Sequence, residues 1–326
     1  MVEDKNRLIS VALCTYNGEL YIAEQIQSIL DQTVLPNEII ICDDGSTDLT
    51  LELLRKVSAR SPIPIYIYEN EHNLGSTKNF EKAINLCKGD IIFLADQDDL
   101  WHKSKVEIFK ACFSSNPRLQ AAFSNGDMMD ARGNNLGFTL WNAYGLNDHK
   151  QARLNNGKAL EVLLKHNVVT GATMAFRSGY KNLIFPIPNL WVHDGWIALL
   201  LSAVGEIKCI DQPLIRYRQH GSQQIGADEP TIQLELEKAK KIGRGTYLLY
   251  ARQYLLALER LLSFSSEVKN PEKLSLIADK AKHLLVRANI GRNLNRIPMT
   301  VKELVNLHYY RYSGGIKSFL KDLFLY

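Results

Sequence analysis

Three carboxylates follow a short apolar run at the end of the first third of the chain. Asp96, Asp98 and Asp99 come directly after Ile91–Ala95. Carboxylates at this spacing repel one another and are costly to desolvate, so a cation is expected among them. Oxygen ligands suit Mg²⁺ or Mn²⁺, ions that commonly clamp a diphosphate. The alternative is a polar turn that follows a strand and binds nothing.

The elements before this cluster alternate between strand and helix patterns. Short, continuously apolar runs are typical of strands buried on both faces, and helical periodicity separates them. Ser46 or Thr47 can cap the second helix. The pattern therefore predicts an α/β fold with a mostly parallel sheet between helices. The predicted strands are Leu8–Cys14, Glu38–Cys42, Ile63–Tyr68 and Ile91–Ala95.

Polar side chains follow three of these strands. They are Thr15-Tyr16-Asn17, Asp43-Asp44 and Asp96-Gln97-Asp98-Asp99. Ligands of parallel sheets bind beyond the carboxyl ends of the strands. Three strands that deliver polar groups to one edge of a sheet therefore predict a binding site at that edge.

The pattern changes twice along the rest of the chain. Residues 121–218 show shorter strands and longer loops, with an apolar helix that begins at Asp194 and runs through Val204. Beyond about Thr231 the pattern is helical, including Leu248–Leu262 and Pro271–Asn289. We expect a first domain over residues 1–230, with halves 1–120 and 121–230, and a C-terminal helical region over residues 231–326.

Composition places the chain among soluble globular proteins. Of 326 residues, 46% are hydrophobic and 23% are charged, and no apolar run reaches the roughly 18 residues of a membrane span. The polar residues Met1–Arg7 do not resemble a secretion signal. The five cysteines are scattered without metal-binding spacing, so we expect reduced thiols and a cytoplasmic protein.

Charge is distributed unevenly. Residues 231–326 carry 17 Lys and Arg against 8 Asp and Glu, a net charge of +9, whereas residues 1–230 carry −5. Basic, aromatic and apolar residues mix in this C-terminal region, so it can lie on the anionic inner face of a cell membrane. A helical lid or dimer surface is the equal alternative. Nucleic-acid binding fits poorly, because no basic-aromatic module lies near the acidic cluster.

The residues after the strands resemble the inverting glycosyltransferases of family 2, which share the GT-A fold. The resemblance covers about residues 8–226. The acidic cluster stands at the position of the family's DxD motif, and a carboxylate opens a late helix. The remaining elements are Thr15-Tyr16-Asn17, Asp43-Asp44-Gly45-Ser46, Asn73-Leu74-Gly75 and Lys78-Asn79. Ala95–Trp101 and Tyr217–Ser222 look most like the rhamnosyltransferase-like branch.

The resemblance implies a role for each matching residue. Asp43 would accept the imide N–H of a uracil or thymine, which implies a UDP- or dTDP-sugar donor. Asp98 and Asp99 would hold Mg²⁺ or Mn²⁺, with His220 as a further metal contact. The ion would neutralise charge on the departing diphosphate. The remaining donor contacts would be Thr15, Tyr16, Asn17, Asp44, Lys78, Asp96, Gln97 and Arg218, although Lys78 also fits a solvated helix surface.

Asp194 is the expected general base. An inverting transfer needs a carboxylate that takes the proton of the acceptor hydroxyl, and a helix N-terminus would keep Asp194 ionised. The alternative is a plain helix N-cap. The family often has Glu-Asp here, whereas this chain has His193-Asp194, which leaves the role of position 193 open.

The implied activity is the metal-dependent, inverting transfer of one sugar. The rhamnosyltransferase-like branch implies L-rhamnose, and a cell-surface glycan or lipid-linked oligosaccharide is the expected acceptor. The Gln-x-x-Arg-Trp signature of processive synthases is absent from the sequence. A UDP-hexose-dependent transferase, a nucleotidyltransferase and a non-catalytic nucleotide-sugar-binding relative are the alternatives. A nucleotidyltransferase would want a glycine-rich phosphate loop, which residues 14–20 do not offer.

Overall fold

The apolar runs of the first third form parallel strands at the centre of a mixed sheet. The computed structural model describes residues 7–221, 242–290 and 296–324. The predicted character of residues 1–6 and the predicted boundary near residue 230 lie outside these ranges. The strands are β1 Ile9–Thr15, β2 Glu38–Asp43, β3 Ile65–Glu69, β4 Ile91–Ala95, β5 Leu100–Trp101, β6 Leu119–Met129, β7 Asn135–Thr139, β8 Met174–Arg177 and β9 Glu206–Arg218.

Helices cover the sheet and continue beyond it. They are α1 Ile22–Leu30, α2 Thr50–Ser58, α3 Ser76–Leu86, α4 Lys105–Ser115, α5 Leu140–Ala143, α6 Asp148–Arg153, α7 Ala159–Leu163, α8 Lys181–Ile184, α9 His193–Val204, α10 Arg244–Ser263, α11 Glu272–Ile290, α12 Arg296–Val305, α13 His308–Tyr312 and α14 Ile316–Phe324. Most of the predicted elements are present, and most boundaries are shifted by one or two residues; α10 begins four residues before the predicted Leu248.

The strand order is β3-β2-β1-β4-β8-β6-β9-β5, with β7 paired to β6. Strands β1 to β4 are parallel to one another, so their carboxyl ends meet at one edge, as predicted. Strand β8 is antiparallel to both β4 and β6, and β6 and β9 form a further parallel pair. This mixed α/β architecture confirms the predicted fold class.

Burial explains why these runs form the central strands. Every residue of β1, β2 and β4 is buried, because helices pack on both faces of the sheet. In α1, the apolar stripe Ile22, Ile26 and Ile29 faces this core, as its helical spacing predicts. All five cysteines are unpaired thiols, and four of them are buried.

Three local predictions differ from the structure. Residues 121–218 were expected to form short strands, but Ile207 and Leu214 belong to one long bent strand, β9, because a register shift beside β6 accommodates the residues before Pro213. Strand β6 in the same region is also long, at 11 residues. Helix α2 begins at Thr50, and neither Ser46 nor Thr47 caps it; the Ser46 hydroxyl instead donates to Asp43.

The C-terminal helices pack against the preceding part of the chain through α9. The indole N–H of Trp191, just before α9, donates to the Gln253 carbonyl in α10, and the Lys273 ammonium of α11 donates to the Ser202 carbonyl. Further along, Arg287 makes a buried bidentate ion pair with Asp322, which ties α11 to α14. Among the described residues, no helix combines the length and apolar character that crossing a membrane requires.

Candidate active site

A cavity of about 730 Å³ opens at the carboxyl ends of β1, β2 and β4. Residues from the irregular second half of the chain and from the start of α9 complete its wall. The structure therefore brings both the acidic cluster and the predicted base to one cavity. The predicted site residues on its wall are Thr15, Tyr16, Asp44, Asp96, Gln97, Asp98 and Asp194.

The carboxylates after β4 are held close together in a buried loop. Burial, together with the negative charges of Asp98 and Asp194, raises the pKa of Asp96 to about 7. Burial and the charges of Asp98 and Asp96 raise the pKa of Asp99 well above its ordinary value. Asp99 is 1% exposed, and its Oδ2 has no hydrogen-bond partner among the described residues.

This donor set fits a divalent cation. The unpaired oxygen of Asp99 and the repulsion among the carboxylates are the features that a bound positive charge would relieve. The imidazole Nε2 of His220 lies 2.8 Å from Asp98 Oδ2, so a further candidate ligand is adjacent to the cluster. Asp96 and Asp98 line the cavity, whereas the buried Asp99 does not.

Arg218 supports the acidic loop and does not line the cavity. Its backbone N–H donates to Asp99 Oδ1, and its side chain donates from Nε to the Asp98 carbonyl and from Nη2 to Glu24. The guanidinium is 4.5 Å from the Tyr21 ring centroid. The buried guanidinium therefore holds this loop in place, and a contact between Arg218 and the sugar donor stays a prediction.

Of the two aspartates at the end of β2, only Asp44 lines the cavity; Asp43 forms hydrogen bonds within its own turn. Asp43 lies outside the cavity wall, and its carboxylate accepts hydrogen bonds from the Gly45 and Ser46 N–H groups and the Ser46 hydroxyl. These bonds stabilise the turn after β2, and the contact between Asp43 and a base stays a prediction. Asp44 lines the cavity, where it accepts from the Leu74 and Gly75 N–H groups.

Asp44 thereby determines where α3 begins. Gly75 adopts φ = +78°, a left-handed conformation that favours glycine, and α3 begins at the next residue. Lys78 on this helix was predicted to contact phosphate. Its ammonium instead binds Glu81 and the Ile187 carbonyl, each at 2.7 Å, and it does not line the cavity.

The residues after β1 are fastened to the acidic loop by Gln97. Its Oε1 accepts from the Thr15 hydroxyl and the Tyr16 N–H, and its Nε2 donates to the Tyr16 carbonyl. The Tyr16 side chain is 48% exposed on the cavity wall. Asn17 does not line the cavity, because its side-chain oxygen accepts from the Thr47 N–H.

Asp194 lies in the first turn of α9 and is not its N-cap, which is Val192. Its carboxylate accepts hydrogen bonds from the N–H groups of Gly171 and Gly195. These bonds lower its pKa, but burial is the larger effect and raises the pKa to about 6. At neutral pH the group is therefore ionised and sits close to its proton-transfer range, which suits a general base.

Sequence reasoning missed several residues that shape this site. Lys105 in α4 is fully buried, and its ammonium donates to the Ala172 carbonyl and faces the Trp101 ring; burial lowers its pKa to about 7. Nothing in the local sequence distinguishes it from a solvated lysine. The irregular half also contributes cavity-lining residues without a motif: Tyr144, Asn167, Val169, Thr170 and Gly171.

The repulsion within the cluster predicts that Asp96→Asn stabilises the protein at neutral pH in EDTA. The folded-state pKa of Asp96, about 7, exceeds its ordinary value of 3.8, so its ionisation opposes folding. The increase in the free energy of unfolding should be absent near pH 4 and grow as the pH rises toward 7. Above that pH it should level off at about 1–3 kcal/mol. Urea unfolding at pH 4.5, 6 and 7.5 measures it.

The matched control is Asp130→Asn. Hydrogen bonds from Asn134 lower the pKa of this exposed carboxyl, so its substitution should give no gain at neutral pH. If Asp96→Asn were instead equally destabilising at all three pH values, the carboxylates would not be in repulsive contact.

Comparison with known proteins gives one consistent family. The glycosyl transferase family 2 model matches residues 10–172, half of the chain. An uncharacterized glycosyltransferase of Haemophilus influenzae is 28% identical over 79% of each chain, and the dTDP-rhamnosyl transferase RfbG of Shigella flexneri is 27% identical over 66% of this chain and 74% of its own.

A solved structure agrees with the architecture. TarS of S. aureus, residues 1–349 in complex with UDP, superposes with a TM-score of 0.55 at 15% identity, over 93% of this chain and 77% of that one. At this identity the likeness concerns the fold. Together with the family match, these findings show that the chain belongs to glycosyl transferase family 2 and is a glycosyltransferase that acts on a nucleotide-sugar donor.

Proposed function

We propose that the protein transfers one sugar, L-rhamnose, from a dTDP- or UDP-sugar with inversion, aided by Mg²⁺ or Mn²⁺. The acceptor is a cell-surface glycan or lipid-linked oligosaccharide. The observation that carries this proposal is the shared cavity of Asp98 and Asp194. One carboxylate belongs to the acidic cluster suited to a cation, and the other stands alone at the start of α9.

Asp194 is suited to take the proton of the acceptor hydroxyl. Two backbone N–H groups orient its carboxylate, and its negative charge reaches Asp96 across the cavity. In an inverting transfer the attacking hydroxyl approaches opposite the leaving group, so base and leaving group must flank one sugar. The cavity of about 730 Å³ provides room for that sugar between them.

Asp98, Asp99 and His220 are the residues that would hold the cation. A bound Mg²⁺ or Mn²⁺ supplies positive charge to the departing diphosphate. Arg218 keeps this loop in place through Asp98 and Asp99. Gln97 holds the Tyr16 backbone against the same loop, so the predicted nucleotide contacts and the cation ligands are positioned as one unit.

The choice of a pyrimidine donor rests on the family resemblance and on the relatives. One relative is named a dTDP-rhamnosyl transferase, and one structural neighbour is in complex with UDP. Because Asp43 is committed to its own turn, Asp44 and Tyr16 are the cavity-lining candidates for nucleotide contacts. A UDP-hexose donor is the second candidate, favoured by the same UDP-bound neighbour.

Asp194→Asn should abolish turnover while leaving donor binding intact. Loss of a general base lowers kcat by about 10²–10⁴-fold. The assay is nucleotide release from dTDP-rhamnose and UDP-hexoses with Mn²⁺ and a membrane-lipid extract of the native host. In the wild type, the rate should fall as pH drops through about 6, because the base then becomes protonated.

The exposed Asp211→Asn serves as the control for this substitution. It should retain wild-type turnover and pH dependence. A wild-type rate that is unchanged down to pH 5, or an Asp194→Asn enzyme of normal turnover, would remove Asp194 from the mechanism.

Metal and nucleotide should stabilise the protein together. We expect Mn²⁺ with UDP or dTDP to raise the Tm by several degrees, and Asp98→Asn to lose the metal-dependent part, because Asp98 presents a cluster carboxylate to the cavity. Asp211→Asn should respond like the wild type. Stabilisation by GDP alone would contradict the pyrimidine assignment, and an unchanged response of Asp98→Asn would contradict the metal assignment.

The C-terminal helices support contact with a membrane that carries the acceptor. Helix α14 exposes Ile316, Leu320 and Phe324 at intervals of four residues, and α12 exposes a similar stripe. Lys317 and Lys321 lie on α14 beside its apolar stripe. Such amphipathic, basic helices bind anionic interfaces, with about 1 kcal/mol per basic residue near the surface.

Flotation with phosphatidylglycerol and phosphatidylcholine vesicles tests this proposal. The protein should float with the anionic vesicles at low salt, and Leu320→Asp should remain in the unbound fraction because a charge interrupts the apolar stripe. Leu136→Asp is the control, because Leu136 is an exposed residue of β7, outside the C-terminal helices. A protein that binds neither vesicle, or that forms a dimer which Leu320→Asp dissociates, would favour a lid or dimer surface.

A further inference from the structure

His193 is a buried polar residue whose presence the fold does not explain. Its side chain lines the cavity, although the residue is only 5% exposed. Its ring stacks on Phe80 with 3.9 Å between centroids. Neither ring nitrogen has a hydrogen-bond partner within the part of the chain that the structure describes. A purely apolar ring would pack equally well at this position.

The imidazole of His193 is neutral at physiological pH. Burial lowers its pKa to about 3, so it carries one N–H donor and one bare acceptor nitrogen. Buried donors and acceptors are nearly always paired in folded proteins, because leaving them unpaired forfeits their hydration. With so low a pKa the imidazole is a weak base, less suited than Asp194 to take the proton of the acceptor hydroxyl. A hydrogen-bonding group inside the cavity would supply the missing partner.

The ring is fixed in place from two sides. Phe80 covers one face, and a Cβ built at Gly171 would approach Nε2 to 2.9 Å, so only glycine leaves room for the imidazole. The Gly171 N–H in turn donates to Asp194 Oδ2. His193 is thus held immediately beside the base.

The surroundings of His193 point to the donor side of the cavity. Phe80, Ser76 and Thr77 line the same wall and all belong to α3, whose start is set by Asp44. Asp96, Asp98 and Asp194 line the same cavity as His193, and the charge of Asp194 acts on Asp96. A sugar held between the acidic cluster and the base would lie next to His193.

We propose that His193 hydrogen-bonds a hydroxyl of the donor's sugar ring and thereby helps to select that sugar. A hydroxyl both donates and accepts, as does a neutral imidazole, so one hydroxyl can engage the ring whichever nitrogen carries the proton. This inference rests on the proposed function, since it requires a nucleotide-sugar in this cavity. It assigns a role to the position at which the chain departs from the family's Glu-Asp pair.

Two variants test the proposal. His193→Phe keeps a stacking ring but removes both polar atoms, and His193→Gln keeps a donor and an acceptor. With Mn²⁺ present, Kd is measured by calorimetry for UDP, dTDP, UDP-glucose, UDP-N-acetylglucosamine and dTDP-rhamnose. The wild type should bind at least one nucleotide-sugar more tightly than its free nucleotide. His193→Phe should weaken that nucleotide-sugar about tenfold and leave the free nucleotide unchanged.

The stability of the free protein distinguishes a ligand contact from a structural role. Because the ring nitrogens have no partner within the described residues, His193→Phe should unfold at the same temperature as the wild type or higher. His193→Gln should recover part of the nucleotide-sugar affinity. The proposal would be overturned if the ratio of nucleotide-sugar affinity to free-nucleotide affinity were the same for the wild type and His193→Phe. It would also be overturned if the wild type bound no nucleotide-sugar more tightly than the free nucleotide. Failure of the wild type to bind any nucleotide would instead refute the proposed function.

Discussion

Three carboxylates occupy one buried loop at the end of β4, and the fold must hold them there against their mutual repulsion. Burial of Asp96 and Asp99 withdraws solvation from charges that already oppose each other, which is why both pKa values are raised. An arrangement of this kind costs folding free energy in the absence of a compensating charge. The surrounding structure is organised to tolerate that cost.

The support for this loop comes from distant parts of the chain. Arg218, at the end of β9, binds the backbone of Asp98 and the carboxylate of Asp99, and its own charge meets Glu24 on α1. Lys105 is a second buried basic group nearby, and it lowers the pKa of both Asp96 and Asp99. Neither cation lines the cavity, so both stabilise the loop without occupying the space available to a ligand.

The N-terminal half of the fold could be predicted because its signals are local. Continuous apolar runs specify buried parallel strands, and parallel strands bring their following loops to one edge, so the meeting of Thr15, Asp44 and Asp98 at one cavity follows from pattern alone. The family resemblance added Asp194. The structure confirms that Asp194 shares this cavity, and its placement inside the first turn of α9 excludes the N-cap alternative.

The identity of individual contacts could not be predicted, because it depends on long-range geometry. Asp43 and Asp44 are adjacent and of the same residue type, yet only Asp44 lines the cavity. Arg218 and Lys78 carry the charge that a diphosphate needs, but partners more than a hundred residues away occupy both. His193 had no interpretable role until its ring was found beside Gly171 and Phe80.

The central claim is that a cation at the acidic cluster and the Asp194 carboxylate act on the same sugar from opposite sides of one cavity. The most direct measurement is the anomalous scattering of Mn²⁺ in crystals grown with the ion and UDP or dTDP. The account predicts a single strong peak within coordination distance of an oxygen of Asp98, with the diphosphate between that peak and Asp194. A peak elsewhere, or a diphosphate bound away from the cavity that Asp194 lines, would contradict it.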